Sequence, residues 1–86
     1  MIKIIQISDE LFWGFRKNVS LNNFSSIDEI ANYIKDELIK FLIENNLLIL
    51  KDIALKLKLH NHQYNSYNEL YETNENIIYL CGACCF

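Results

Sequence analysis

Ser26-Ile27-Asp28-Glu29-Ile30-Ala31-Asn32-Tyr33-Ile34-Lys35-Asp36-Glu37-Leu38-Ile39-Lys40-Phe41-Leu42 is the stretch whose reading decides the fold. Ile27, Ile30, Ala31, Ile34, Leu38, Phe41 and Leu42 recur at three- and four-residue spacing, the stripe of an amphipathic helix. Asp28, Glu29, Asn32, Lys35, Asp36 and Lys40 fall largely off it. Ser26 followed by Glu29 fits a capping box, and acids in the first turn complement the helix dipole. Asn45-Asn46 closes the segment, because asparagine tolerates the left-handed conformation of a helix C-terminus. The pattern predicts a helix over about 26–45 whose apolar ridge must be covered by something else.

The cover is expected from both ends of the chain. Residues 2–7 read as a strand that is apolar on both faces, Ile2 and Ile4 on one and Ile5 and Ile7 on the other, which suits the middle of a sheet. Ser8-Asp9-Glu10 supplies a turn, and 11–19 resumes as a strand with Leu11, Trp13, Phe15 and Val19 on one face, Gly14 marking a bulge or a close backbone approach. Residues 47–59 are ambiguous, since Leu47, Leu50, Ala54 and Leu57 fit a helix whereas Leu55-Lys56-Leu57-Lys58-Leu59 alternates like a strand. The favoured reading is a second helix over 47–57 and a strand over 58–63; the alternative is one long strand. Ser66-Tyr67-Asn68-Glu69 offers a second capping box that starts a short helical turn, 77–81 is a final strand, and Gly82 onward reads as a tail.

The resulting order, β-β-α-(α)-β-(short helix)-β, resembles that of β-grasp domains such as ubiquitin-like proteins. The resemblance lies in element order and length, and the extra helix departs from it. It implies a single α+β domain over 1–86, with one mixed sheet of about four strands covered on one face by the long helix. The last strand then lies between the first and the one bearing His60, with the apolar Ile77-Ile78 at the sheet centre. The chain lacks a terminal Gly-Gly, so conjugation through the carboxyl end is not expected.

Half of the 86 residues are apolar (51%) and 22% are charged, which excludes a disordered chain. A net charge of -3 argues against a nucleic-acid groove, which needs clustered Lys and Arg. The longest apolar run, Leu47–Leu50, is far too short for a membrane span. The first residues lack the features of a secretory signal, so an intracellular setting with reduced thiols is expected. Neither nucleic acid nor membrane is expected as a partner.

One constellation carries candidate chemistry. His60-Asn61-His62 places two imidazoles on one side of a strand, and Cys81-Gly82-Ala83-Cys84 has the gap at which a turn lets two thiolates meet one zinc. An antiparallel His60 strand would bring His60 to Cys81 and displace His62 toward residue 79. His60, His62, Cys81 and Cys84 are thus the candidate metal ligands, weighed against the plainer reading that Cys81 is a small apolar residue at a strand end. A redox role is disfavoured because no helix follows the first cysteine. The acids Asp28, Glu29, Asp36, Glu37 and Glu44 read as a solvated helix face, and two glycines, Gly14 and Gly82, make no phosphate loop. No enzyme and no cofactor beyond that candidate zinc is expected.

Aromatic residues supply the other signal. Phe12, Trp13 and Phe15 lie close together, as do Tyr64, Tyr67, Tyr71 and Tyr79. Most large aromatics are core residues, but a sheet covered on one side leaves its other face open, and Tyr and Trp are enriched at binding hot spots. Phe12, Trp13, Phe15, Tyr64 and Tyr67 are the candidate contact residues for a protein partner or a homo-oligomer, with an edge strand as a further pairing surface.

Phe12-Trp13-Gly14-Phe15-Arg16-Lys17-Asn18-Val19, Ser26-Ile27-Asp28-Glu29-Ile30 and Ile77-Ile78-Tyr79-Leu80-Cys81 together resemble small uncharacterised proteins of amoeba-infecting giant DNA viruses. The resemblance implies a small viral protein acting inside an infected cell, in the host cytoplasm or the virion, and brings no activity with it. The leading expectation is an interaction module, and the alternative a small zinc-binding protein.

Overall fold

The helix forms where the spacing places it. In the computed structural model, which describes residues 1–12 and 14–84, the last two of these as backbone only, α1 spans Ile27–Glu44. Ser26 Oγ accepts from the Glu29 amide at 3.2 Å, and the Glu29 carboxylate reaches back to the Ser25 hydroxyl rather than to the cap amide. Ile30, Ala31, Ile34, Leu38 and Leu42 are buried, whereas Phe41, at the margin of the stripe, stays partly in solvent.

The remaining elements are β1 (Ile2–Ile7), β2 (Arg16–Ser20), α2 (Leu48–Leu55), β3 (Leu57–His60), α3 (Tyr67–Glu72) and β4 (Ile77–Cys84), with a 3-10 turn at Leu21–Asn23. The four strands form one mixed sheet in the order β2-β1-β4-β3. β1 pairs with β2 antiparallel and with β4 parallel, and β3 pairs with β4 antiparallel. This α+β arrangement sets the first and last strands side by side at the centre, with β4 between β1 and the strand that bears His60, as expected. The ambiguous segment resolves as helix followed by strand.

Sheet and helices meet over one face. The parallel register sets Ile5 against Ile78 and Ile7 against Leu80, and all four are fully buried. Val19, Leu21, Ala54, Leu57 and Leu70 complete a core to which every element contributes. The alternate positions of the central strands, Ile4, Gln6, Ile77 and Tyr79, face away from the core, and beside them Ile2 is 70% exposed. Both faces of β1 carry apolar residues, and the outer one is covered in part: Ile4 is half-buried and Gln6 is buried at 8% exposure, whereas Ile2 is open.

Three expectations are corrected. The second strand begins at Arg16, not at 11, because Asp9 and Gly14 build a turn ahead of it. The third strand ends at His60, not at 63, because Asn61 Oδ1 accepts from the amides of Gln63 and Tyr64, each at 3.1 Å, and bends the chain away. The final strand runs on to Cys84 rather than ending at 81. It can do so beside β3 because Gly82 has no side chain: a Cβ there would stand 2.7 Å from Leu57 Cδ1 and 3.1 Å from Asp9 Cβ.

Lys3 is 4% exposed, at the start of β1. Its Nζ donates to the carbonyls of Thr73 and Glu75, each at 2.6 Å, so a cation sits at the C-terminal end of α3, where the helix dipole is negative. The lysine thereby ties the turn before β4 to the strand that β4 must pair with. Lys3→Met, which keeps the stem and removes the ammonium, is expected to lower stability by about 1–3 kcal/mol, measured by urea unfolding. Faster amide exchange around residues 73–76 should accompany the loss.

Candidate functional site

A cleft of about 480 Å³ lies between the turn that precedes β2 and the corner that joins α1 to α2. The turn makes one wall. Asp9 Oδ1 accepts from the Leu11 amide at 2.9 Å, the Phe15 amide donates to the Phe12 carbonyl at 3.0 Å, and Gly14 takes a φ of 92° that disfavours other residues. With the chain turned in this way, Phe12 swings into the core at 4% exposure while Leu11 stays 55% exposed. Phe15 is half-buried, its ring centroid 5.7 Å from that of Phe41.

The opposite wall follows from how α1 ends. Asn46 has φ 59°, the Asn46 amide donates to the Ile43 carbonyl at 3.1 Å, and the Leu47 amide donates to the Leu42 carbonyl at 2.8 Å. These are the paired bonds of a Schellman motif, which brings the residue after the left-handed one back against the last turn of the helix. Leu42 and Leu47 consequently line the cleft together, with Leu38, Phe41 and Leu50. Asn45 Nδ2 adds a 2.7 Å bond to the Phe41 carbonyl. Asparagines at 45 and 46 therefore set the cleft as well as ending the helix.

The volume falls in the range of ligand pockets, and the lining is apolar except for Arg16 and Lys17. Among the described residues the ion pairs are Lys40–Glu37 and Lys51–Asp52, so neither cation meets a carboxylate. At the same α1–α2 corner, further apolar side chains neighbour the lining residues in sequence: Ile43 and Leu48 are half exposed and Ile49 is 79% exposed.

The structure distributes the expected contact residues differently. Phe12 belongs to the core, and Phe15 joins the cleft. Tyr64 and Tyr67 are structural: the Tyr64 hydroxyl lies 3.4 Å from Thr73 Oγ1, and the Tyr67 hydroxyl donates to the Leu21 carbonyl, joining α3 to the 3-10 turn. Trp13 lies outside the described residues. None of Phe12, Phe15, Tyr64 and Tyr67 lies on the outer sheet face, where Tyr79 and Lys58 are exposed while Ile4 is half-buried and Gln6 buried. Phe41 and Leu47 were missed as surface residues, the first because it belongs to the helical stripe. The signal that could have found them is the apolar run Leu47–Leu50 directly behind a helix already supplied with a buried face.

The candidate metal ligands are only partly brought together. His60 pairs with Cys81 in the expected register. His62 sits in the turn after the strand, its ring centroid 6.0 Å from that of His60. Cys81 lies 3.4 Å from Ser8 Oγ. The backbone between 81 and 84 is extended rather than turned, and the side chain of Cys84 lies outside the described residues. Among the described residues no three His, Cys, Asp or Glu side chains gather where one ion could sit. Among them, too, no helix is long and apolar enough to cross a membrane.

The chain matches no protein-family profile, no curated protein and no solved structure.

Burial raises the pKa of Tyr67 above the ordinary phenol value of 10.0, with Tyr71 and Glu29 adding to the effect. Its hydroxyl is a donor that the ionised ring would lose. The unfolded chain releases this proton first as pH climbs past that value, so folding stability falls with rising pH there. Tyr67→Phe is expected to be less stable than the parent at neutral pH, through the lost hydrogen bond, and to show a shallower alkaline decline. Thermal melts at pH 8 and pH 11 check both.

Proposed function

We propose that the protein is a small interaction module without catalytic activity, which binds a protein partner through the cleft and apolar shoulder at the α1–α2 corner. The observation that carries this reading is the concentration of exposed large apolar side chains there: Leu11, Phe41, Ile43, Leu47, Leu48 and Ile49. Contiguous apolar surface of this kind marks interaction sites far more than scattered single residues do. Among the described residues the groups lining the cleft include two cations and no acid or nucleophile, which suits binding rather than bond-breaking. The sheet edges suit pairing less well. β2 presents Arg16 and Lys17, and β3 is four residues long with Lys58 exposed, the short charged edges that discourage strand addition. A partner inside an infected cell is what the resemblance to giant-virus proteins implies.

Immobilised protein should retain a partner from extract that Ile49→Asp loses while melting at the parent temperature. Lys58→Glu and Tyr79→Ala, on the sheet edge and outer face, should retain it. Loss with the sheet variants and retention with Ile49→Asp would move the site to the sheet.

A second reading, zinc binding, rests on the pairing of His60 with Cys81 and the nearness of His62. Under it, reduced protein takes up one equivalent of zinc and melts higher, and His60→Ala abolishes both. An unchanged melting temperature at equimolar zinc disproves it.

A further inference from the structure

We infer that the occupant of the α1–α2 corner is an amphipathic helix of a partner protein that carries carboxylates beside its apolar anchors, an inference that rests on the reading of that corner as the binding surface. Three observations lead to this chemistry. The first is charge: Arg16 and Lys17 are exposed and line an otherwise apolar cleft, Lys17 opposite Ile5 on the core side of β2 and Arg16 beside it opposite Gln6. Among the described residues no acid lines the cleft and neither cation is paired. This pair runs against the net charge of -3 that the chain carries as a whole. It therefore selects for acidic partners locally while the rest of the surface does not.

The second observation is extent. A fatty acid would match the cleft's lining, with its tail among Leu38, Phe41 and Leu42 and its carboxylate at Lys17, but it would leave Ile43, Leu48 and Ile49 in water. A helix about 10–12 Å across covers cleft and shoulder together, with anchors at i, i+3 or i+4, and i+7. The third is symmetry. A second copy related by a twofold axis would present the same Arg16 and Lys17 to this corner, placing like charges near one another in the interface. An acidic helix relieves that cost and a second copy does not.

The test uses two synthetic helical peptides of about 16 residues with the same leucine and isoleucine anchors, one with glutamates flanking the anchors and one with lysines. Binding is read by fluorescence anisotropy and by amide shifts at Phe15, Leu42 and Leu47. The acidic peptide is expected to bind about tenfold more tightly at low salt, with the gap narrowing as salt is raised. The double variant Arg16→Glu, Lys17→Glu should invert the preference. Equal binding of both peptides, or a preference untouched by the double variant, overturns the charge assignment. Binding of neither peptide overturns the helix. Saturable laurate binding at the same amides in the absence of peptide binding assigns the cleft to a lipid instead. Concentration-dependent self-association lost in Ile49→Asp, again without peptide binding, assigns it to a second copy. In each of these failures the extract experiment above still decides separately whether the corner is a binding surface.

Discussion

The parallel pairing of β1 with β4 is the constraint on which the rest depends. These strands come from opposite ends of the described chain, and joining them closes a loop that contains every other element. Closing so long a loop is entropically unfavourable, so the gain must come from what the pairing buries. Ile5, Ile7, Ile78 and Leu80 supply it: each is inaccessible to solvent beneath the helices, and none could be so with either central strand missing. Lys3 acts on the same junction from its edge, holding the carbonyls of the turn that leads into β4. β3 and α2 add to a sheet whose middle is already specified.

Much of this architecture was legible in the amino-acid order because local and long-range preferences agree. The stripe from Ile27 to Leu42 has the helical period, Ser26 and Ser66 occupy cap positions, and the apolar letters of 2–7 and 77–80 suit central strands and little else. Where the reading drew a strand too long, a polar side chain redirected the backbone. Asp9 and Asn61 each capture amides two or three residues on, converting what alternates like a strand into a turn. Such turns depend on one oxygen finding one or two N–H groups, and apolar periodicity does not register them.

The candidate site was less legible than the fold, for a related reason. Alternation placed Phe12 and Trp13 on opposite faces of a strand, but Phe12 lies in a turn and its burial obeys the turn's geometry. Phe41 fits the helical stripe by spacing and yet stays 45% exposed, covered only in part by Phe15. Lys3 was visible as an interruption in an apolar strand, and its burial among carbonyls of the distant turn at 73–75 had no local signal at all. Asn45-Asn46 was read as a helix terminator. Its further effect, folding Leu47 back on Leu42 through the Schellman bonds, follows from backbone geometry that composition does not encode.

The central place of β4 bears on how the protein is made. On a ribosome the chain emerges from the amino end, so β1, β2, α1 and α2 are free in the cell before their sheet has its middle strand. During that interval Ile5, Ile7 and the ridge of α1 have no partner, and the edge of β1 that β4 will occupy is open to any other extended segment. Synthesis speed and chaperone access across that window therefore govern yield, independently of how stable the finished molecule is.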